Sequence, residues 1–301
     1  MVSMISDTEL NERIEAAYKL LESCRVCPRE CGVNRLKNDK LGFCRSGLNP
    51  VISSASAHKG EEPPLSGTRG SGTIFFASCN LRCVYCQNYP ISHMGNGAER
   101  TPGELACQML WVQEEGCHNL NLVTPTHFMP QILKALGIAK KRGFHLPIVY
   151  NTSGYESIEA LKLLDGIVDI YLPDMRYSDD TAGRRFSAAP HYTEINRGSV
   201  REMYRQVGNL VIDEHGIAKR GLIVRHLVLP NGLSGTEGVM KFLAEEVSKD
   251  VYISLMSQYF PAFKATQIKE LSRRITEEEY DEAYRIMRER GLENGWVQEI
   301  E

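Results

Sequence analysis

Short apolar runs alternate with longer stretches of helical periodicity through most of the chain. The runs are almost unbroken and rich in β-branched and aromatic residues, which is typical of strands buried on both faces of a parallel sheet. They lie at 73–77, 119–123, 147–151, 167–173, 221–230 and 251–256. The stretches between them predict the helices that connect parallel strands.

Residues that favour the start of a helix precede several of these stretches. They are Ser6, Thr101, Thr236 and Thr276. Another helix is predicted over 130–141, where a proline opens the stretch and Gly143 follows it.

Six strand and helix units are too few for the eight of a closed TIM barrel. The pattern leaves two α/β architectures, an open partial (β/α)6 TIM-like barrel and a doubly wound sheet, and we predict the partial barrel. In both architectures the chemistry belongs at the carboxyl ends of the strands.

The chain before residue 72 has a different character. It contains a first helix and a group of four cysteines, and residues 50–72 are rich in Gly, Ser and Pro, which predicts an irregular connection. We therefore predict a first part over 1–71, comprising a helix, a Cys-rich metal-binding segment and a linker. The barrel and a closing C-terminal helix would occupy 72–301.

Composition narrows the classes of function. The 301 residues include 35 basic and 38 acidic side chains, so no basic field is present that would collect nucleic acid or anionic lipid. The first residues lack the features of a signal peptide, and no apolar run approaches the ~20 residues of a membrane span. We expect a cytoplasmic protein with neither nucleic-acid nor membrane partners.

Seven of the nine cysteines fall into two groups, which in a reducing compartment favours metal or redox chemistry over disulfides. The first group is Cys24, Cys27, Cys31 and Cys44. Four thiols suit either a structural zinc or an iron–sulfur cluster, and the sequence leaves the metal open. Arg25 and Arg29 beside them are expected to be solvated. The remaining two cysteines, Cys107 and Cys117, are predicted to be buried as small apolar residues.

The second group is Cys79, Cys83 and Cys86, which follow the first predicted strand. Three thiolates at this spacing can hold three irons of a [4Fe–4S] cluster and leave the fourth iron open for another ligand. A zinc site completed by a distant His or Cys is the alternative.

With Tyr85 directly before the last cysteine, this motif resembles the CxxxCxxC hallmark of the radical S-adenosylmethionine (SAM) superfamily over about residues 72–260. The stretches CNLRCVYCQN, NLVTPTHF and SLMSQYFPAFKA are similar to a branch of uncharacterised Fe–S proteins described as homologues of pyruvate formate-lyase activating enzyme. The resemblance implies a [4Fe–4S] cluster and SAM as cofactors, with SAM chelating the open iron through its methionyl amino and carboxylate groups. Reductive cleavage of SAM would then yield a 5′-deoxyadenosyl radical that abstracts hydrogen from a substrate. An electron donor such as flavodoxin or ferredoxin is implied as a partner.

The resemblance also indicates which residues would bind SAM. Many relatives carry a Gly-Gly-Glu-like segment after the second strand, whereas here that place reads Thr-Pro-Thr-His over 124–127, so hydroxyl and carbonyl oxygens would replace the carboxylate. The candidates are Tyr85, Thr124, Thr126, Asn151, Ser153, Asp174, Arg176 and Arg225.

Several candidates also have ordinary structural interpretations. Thr126 could cap the helix ahead of Pro130, and Ser153 with Glu156 could form a capping box. Arg225 lies inside a predicted strand, where a charge is costly unless it faces the barrel lumen and a carboxylate. His226 faces the other way and is predicted to be a packing residue.

Three functions follow from these observations. The leading one is a radical SAM enzyme acting on an unidentified substrate. The second is an activase of a glycyl-radical enzyme with a protein partner, although the segment 87–101 is too short for an inserted ferredoxin-like module. The third is a non-catalytic iron–sulfur or zinc carrier or structural protein, which the missing fourth ligand disfavours.

Overall fold

One open, mostly parallel sheet runs through residues 5–299, the part of the chain that the computed structural model describes. Residues 1–4 and 300–301, the outer ends of the two predicted parts, lie outside the described residues. The strands are β1 (Val51–His58), β2 (Ser71–Phe76), β3 (Ala98–Glu99), β4 (Leu120–Val123), β5 (Ile148–Thr152), β6 (Ile170–Pro173), β7 (Val211–Ile212), β8 (Ala218–Leu227), β9 (Tyr252–Met256) and β10 (Gly295–Val297).

The six predicted strands are all present, as β2, β4, β5, β6, β8 and β9. They pair in parallel and in chain order, so each new strand is added on the same side of the sheet. Winding in one direction belongs to a barrel, whereas a doubly wound sheet reverses its strand order. The outermost strands, β10 and β3, do not pair with each other, so the sheet is open. The predicted α/β class with an open, partial-barrel arrangement is confirmed.

Helices connect the parallel strands and cover the sheet. They are α1 (Asp7–Lys19), α2 (Pro63–Ser66), α3 (Tyr89–Ser92), α4 (Pro102–Glu114), α5 (Met129–Lys141), α6 (Ile158–Lys162), α7 (Asp180–Ser187), α8 (Tyr192–Val207), α9 (Thr236–Phe242) and α10 (Glu277–Glu289). Within residues 5–299, none of them combines the length and the apolar character that crossing a membrane requires.

The helix starts predicted from capping residues are confirmed in three of four cases. Ser6 accepts a hydrogen bond from Glu9 N at the start of α1, and Thr101 and Thr276 form complete capping boxes at α4 and α10. The prediction for Thr236 is wrong, because Gly235 occupies the N-cap position of α9 with φ +62°. The Thr236 hydroxyl lies instead 3.0 Å from a ring nitrogen of His226.

The prediction that residues 50–72 form an irregular connection is wrong. They contain β1 and α2, and β1 pairs antiparallel with β2 and with β3. β1 is built largely from Ser and Ala, which have weak strand preferences, so its conformation depends on a partner that no local pattern reveals. The sheet therefore crosses the boundary predicted between residues 71 and 72.

The two isolated cysteines have different environments. Cys117 is buried in the core, as predicted. Cys107 is exposed, and its thiol lies 3.1 Å from Nη1 of Arg142, so that prediction is wrong. Its position on the outer side of α4 explains the exposure, because the buried residues of this helix are Leu105, Ala106, Met109, Leu110 and Val112.

Gly154 lies where the end of β5 approaches the end of β6. We predict that a substitution here strongly lowers the stability of the fold. Its φ is +69°, and an added Cβ would lie 2.2 Å from Nδ2 of Asn196 and 2.6 Å from the backbone oxygen of Asp174. We expect Gly154→Ala to lower the free energy of unfolding by about 2 to 3 kcal/mol, measured by urea denaturation followed by circular dichroism. Gly103→Ala is the control, because a Cβ there meets nothing closer than 3.9 Å. Equal stability of the two variants would contradict the prediction.

Candidate active site

The loop with Cys79, Cys83 and Cys86 begins at the carboxyl end of β2, on the edge where the neighbouring parallel strands also end. Cys83 is buried, and the other two cysteines are half-buried. Each sulfur has a polar neighbour within hydrogen-bonding distance. The contacts are Leu81 N to Cys79 Sγ (3.3 Å), Ser187 Oγ to Cys83 Sγ (3.0 Å) and Ser92 Oγ to Cys86 Sγ (3.0 Å).

Burial opposes negative charge on these thiols. It raises the pKa of Cys79 to about 12, and the nearby Cys83 and Cys86 add to the effect. Burial, followed by Cys83, also raises the pKa of Cys86. Free thiolates at this place would be costly, and bound iron would offset that cost.

The donor set therefore fits the [4Fe–4S] cluster that the sequence motif implies. Its three thiols come from one loop, and hydrogen bonds to the sulfurs are a usual part of such sites. Within residues 5–299, no three Cys, His, Asp or Glu side chains converge closely enough to hold a single metal ion. A cluster instead distributes its three thiolates over three separate irons.

A group of charged and polar side chains lies beside this loop, at the ends of β5, β6 and β8. Arg225 donates from Nε to Oδ1 of Asp174 at 2.8 Å and from Nη2 to Oδ1 of Asn151 at 2.6 Å. Arg176 donates to the other oxygen of Asp174, and its Nη1 lies 3.8 Å from Sγ of Cys83. Four predicted residues are thus brought together next to the cysteine loop, and the carboxylate that Arg225 was expected to need is Asp174.

Several carboxylates act on the arginines of this group, because Glu62 and Glu61 as well as Asp174 raise the pKa of Arg225. Burial lowers the pKa of Arg176 and Arg225, but the Asp174 carboxylate outweighs it and keeps the pKa of both above the ordinary value. Two guanidinium groups share one carboxylate, and their side chains are 24% and 18% exposed. The planar fork of an arginine matches a carboxylate, so the group can accept an anionic carboxylate from a ligand.

Tyr85 belongs to a chain of hydroxyl groups that ends at the cysteine loop. Its OH lies 2.5 Å from the OH of Tyr177, which lies 2.8 Å from Oγ of Ser187, the neighbour of Cys83 Sγ. Burial, followed by the nearby Cys83, raises the pKa of Tyr85 to about 12, so the phenol stays protonated. Sequence reasoning missed Tyr177 and Ser187, because they follow a later strand and no local signal links them to the loop.

Thr126 lies in a separate buried group around Glu156. Thr126 and Thr152 both donate hydrogen bonds to Oε1 of Glu156. The alternative that Thr126 caps the next helix is wrong, because Phe128 occupies the N-cap position of α5. The sequence does not reveal this role of the Glu156 carboxylate, because the spacing from Ser153 to Glu156 equally matches a capping box.

That capping box is also wrong. α6 begins at Ile158 with Ser157 at the N-cap, so Ser153 and Glu156 precede the helix and face inward. The hydroxyl of Ser153 is buried without a hydrogen-bond partner among residues 5–299. Thr124 has φ +59°, and its N–H extends the ladder by donating to the Asn151 oxygen at 2.9 Å.

His226 is a packing residue, as predicted. It is fully buried, and its ring nitrogens lie 2.7 Å from the backbone oxygen of Met175 and 3.0 Å from Oγ1 of Thr236. Burial lowers its pKa to about 4, so the ring is neutral at physiological pH.

The four amino-terminal thiols surround a common cavity. Its lining includes Cys24, Cys27, Cys31, Cys44, Arg29, Arg35 and His127. Arg35 is almost fully buried and donates to the backbone oxygens of Gly47 (3.0 and 3.1 Å) and His127 (2.6 Å), which ties this segment to the end of β4. Sequence reasoning missed Arg35, because the carbonyl groups that it binds are distant in the chain.

The two arginines that were predicted to be solvated, Arg25 and Arg29, differ in environment. Arg25 is exposed and pairs with Glu159 at 3.5 Å, as expected for a solvated side chain. The prediction for Arg29 is wrong, because its guanidinium stacks 3.7 Å from the ring centre of Phe43 and donates to the Asn80 oxygen.

The cysteine loop lies inside a segment that matches a known family. Residues 73–213 match the family model of the radical SAM superfamily. The chain is also 31% identical over 294 residues to Uncharacterized protein MJ0674 of Methanocaldococcus jannaschii, covering 94% of this chain and 80% of that protein. The chain therefore belongs to one family with MJ0674, and its residues 73–213 form a radical SAM superfamily domain. This domain supports a SAM-cleaving radical enzyme and implies a [4Fe–4S] cluster, SAM and a reductant.

More distant similarities extend the comparison. Uncharacterized protein MJ0808 of the same organism is 23% identical over 268 residues, covering 81% of this chain and 72% of that protein. A structure of TYW1 with a lysine-pyruvate adduct bound aligns with a TM-score of 0.45 and 12% identity, covering 72% of this chain and 73% of that one. Methylornithine synthase (PylB) aligns with a TM-score of 0.45 and 13% identity, covering 96% and 71%.

Glu156 predicts a specific pH dependence of stability. Burial raises its pKa from 4.5 to about 7, although the hydroxyls of Thr126 and Thr152 lower it in part. The unfolded chain therefore loses this proton at lower pH than the folded chain, and stability falls as pH rises from about 4.5 to about 7. In Glu156→Gln this loss disappears, so the stability of the variant relative to the native protein should rise by up to about 3 kcal/mol between pH 4.5 and pH 8.

The measurement is urea denaturation of both proteins across this pH range. Glu159→Gln is the matched control, because Glu159 is a half-exposed glutamate three residues further along the chain. A difference between Glu156→Gln and the native protein that does not change with pH would refute the prediction.

Proposed function

We propose that this chain is a radical SAM enzyme that cleaves SAM reductively and uses the 5′-deoxyadenosyl radical to abstract hydrogen from a substrate. Cys79, Cys83 and Cys86 would hold the cluster. The observation that supports this most directly is the contact between the cysteine loop and the charged group, where Arg176 lies 3.8 Å from Cys83 Sγ and shares Asp174 with Arg225. A carrier or structural protein has no use for a carboxylate-binding group beside an incompletely ligated cluster.

SAM has chemical groups that suit the side chains around the loop. Its carboxylate would bind the exposed parts of the Arg176 and Arg225 guanidinium groups. Its amino group and ribose need oxygen acceptors, and Thr124, Asn151 and Ser153 lie at the same sheet edge. The unpartnered Ser153 hydroxyl supports this role, because a buried polar group without a partner is costly.

Tyr85 and Thr126 would act less directly. Tyr85 is nearly fully buried and bonded to Tyr177, so it would support the loop through the hydroxyl chain. The Thr126 hydroxyl donates a hydrogen bond to Glu156, so a contact between Thr126 and SAM would require that hydrogen bond to break.

The branch of the superfamily and the electron donor are proposed from the sequence resemblance. The stretch CNLRCVYCQN supports a place among the homologues of pyruvate formate-lyase activating enzyme. Flavodoxin or ferredoxin would supply the electron. Cys24, Cys27, Cys31 and Cys44 line one cavity, which supports the metal-binding role predicted for the first part of the chain. This cavity would hold a second metal centre.

The central prediction concerns SAM cleavage. Anaerobically reconstituted protein supplied with SAM and dithionite should produce 5′-deoxyadenosine, and the Cys79/Cys83/Cys86→Ala triple variant should produce none, because the cluster loses all of its ligands. Nucleoside is measured by liquid chromatography. Cys107→Ala is the control, because that thiol is exposed and belongs to neither cysteine group. Nucleoside formation by the triple variant, or its absence from native protein that holds its cluster, would count against the proposal.

A second prediction concerns Asp174, which positions both guanidinium groups. We expect Asp174→Asn to weaken SAM binding roughly 10- to 100-fold, because the arginines lose the charge-assisted bonds that orient them. Equilibrium binding of SAM to the reconstituted protein measures the effect. Asp213→Asn is the matched control, since Asp213 also pairs with a residue of β8, Lys219, but at the opposite end of the strand. Similar affinities of the two variants would contradict the assigned role.

A further inference from the structure

The amino-terminal thiol site lies directly against the loop that carries Cys79, Cys83 and Cys86. Arg82, the residue before Cys83, donates from Nη2 to the backbone oxygen of Phe43 at 3.0 Å. Phe43 is the residue before Cys44. One hydrogen bond therefore joins the neighbours of two thiols that belong to different sites.

A second contact joins the same two sites. Arg29, two residues after Cys27, donates from Nε to the backbone oxygen of Asn80 at 2.9 Å. Asn80 is the residue after Cys79. The Arg29 guanidinium also stacks on the Phe43 ring, so the two contacts form one continuous packed unit.

His127 provides a third contact between the two sites and a ring nitrogen whose lone pair is unused. It lines the amino-terminal cavity, and its Nε2 lies 2.8 Å from the backbone oxygen of Ala77, two residues before Cys79. Because a carbonyl only accepts, Nε2 carries the hydrogen, and in the neutral ring Nδ1 holds a lone pair. Nδ1 is buried and has no partner among residues 5–299. An electron-pair donor that is buried without a partner suits the surroundings of a metal centre.

The charges between the two sites favour two anionic centres at short range. Thiolate-ligated clusters are negatively charged and would repel each other in a low-dielectric interior. The guanidinium groups of Arg29 and Arg82 lie in the contacts between the two cysteine groups and offset this repulsion. A zinc held by four thiolates would also be anionic, but it is redox-inert and could pass no electron to the other loop.

We propose that the amino-terminal site holds an iron–sulfur cluster that delivers one electron to the cluster on Cys79, Cys83 and Cys86. This inference rests on the proposed function. A low-potential reductant of the flavodoxin or ferredoxin class reduces the amino-terminal cluster by one electron. That cluster passes the electron to the second cluster and returns to its oxidised state. SAM consumes the electron when its carbon–sulfur bond breaks to methionine and the 5′-deoxyadenosyl radical.

The first experiment identifies the metal. The Cys79/Cys83/Cys86→Ala triple variant, reconstituted anaerobically, should contain about four irons and about four sulfides per chain and give an EPR signal after reduction with dithionite. Zinc in place of iron would overturn the proposal. If the triple variant fails to fold, the native protein decides, because two clusters require about eight irons per chain and one requires about four.

The second experiment follows the electron. Native protein is reduced with dithionite, freed of reductant anaerobically and mixed with SAM, and EPR of frozen samples follows the signal assigned from the triple variant. The relay predicts that this signal disappears and that about two molecules of methionine form per chain, since each cleavage consumes one electron and releases one methionine. A persistent signal with about one methionine per chain would overturn the relay. Cys107→Ala should behave as the native protein.

The two proposals fail in different ways. An iron–sulfur cluster in the triple variant, with no nucleoside from the native protein, would reject the proposed function and the electron delivery together but keep the metal assignment. Nucleoside from the native protein, with zinc in the triple variant, would keep the proposed function and reject the relay.

Discussion

The parallel hydrogen-bond ladder that joins β2, β4, β5, β6, β8 and β9 decides where the chemistry of this protein lies. Parallel strands in chain order end at the same edge of the sheet, so residues that are far apart in the chain become neighbours there. The cysteine loop follows β2, Asn151 belongs to β5, Asp174 follows β6 and Arg225 belongs to β8. The contacts among them depend on this register, since Met175 N donates to the Arg225 oxygen at 2.8 Å and continues the ladder past the strand ends.

The cost of burying charge is the second constraint, and the acidic groups of the site avoid that cost in different ways. The carboxylate of Asp174 is satisfied by hydrogen bonds from two guanidinium groups. Among residues 5–299 no cation is bonded to Glu156, which keeps its proton to a higher pH than an exposed carboxyl and accepts hydrogen bonds from two hydroxyls. The thiols of the cysteine loop also keep their protons, because burial raises the pKa of Cys79 and Cys86. Bound iron would offset the cost of their negative charge once they lose those protons.

The amino-terminal segment is held in place by hydrogen bonds to the barrel. It is short and cysteine-rich, and Arg35 anchors it by donating to the carbonyl groups of Gly47 and His127. The contacts of Arg29 and Arg82 place its thiol site against the cysteine loop. A metal centre in this segment would stabilise it and would also lie beside the cluster site, so one arrangement would serve both folding and the proposed electron supply.

The sequence alone determined the strand pattern, the α/β class and the cysteine motif, because these depend on local periodicity and on spacing within one loop. All six parallel strands and three of four helix caps followed from it. It did not reveal β1, whose Ser and Ala residues form a strand only against β2. It also did not reveal that Glu156 turns inward to Thr126 or that Ser187 and Tyr177 reach Cys83. Some of these contacts join segments that are far apart in the chain, and others depend on the direction that a loop takes after its strand. Only the packing of the strands and helices brings such groups together.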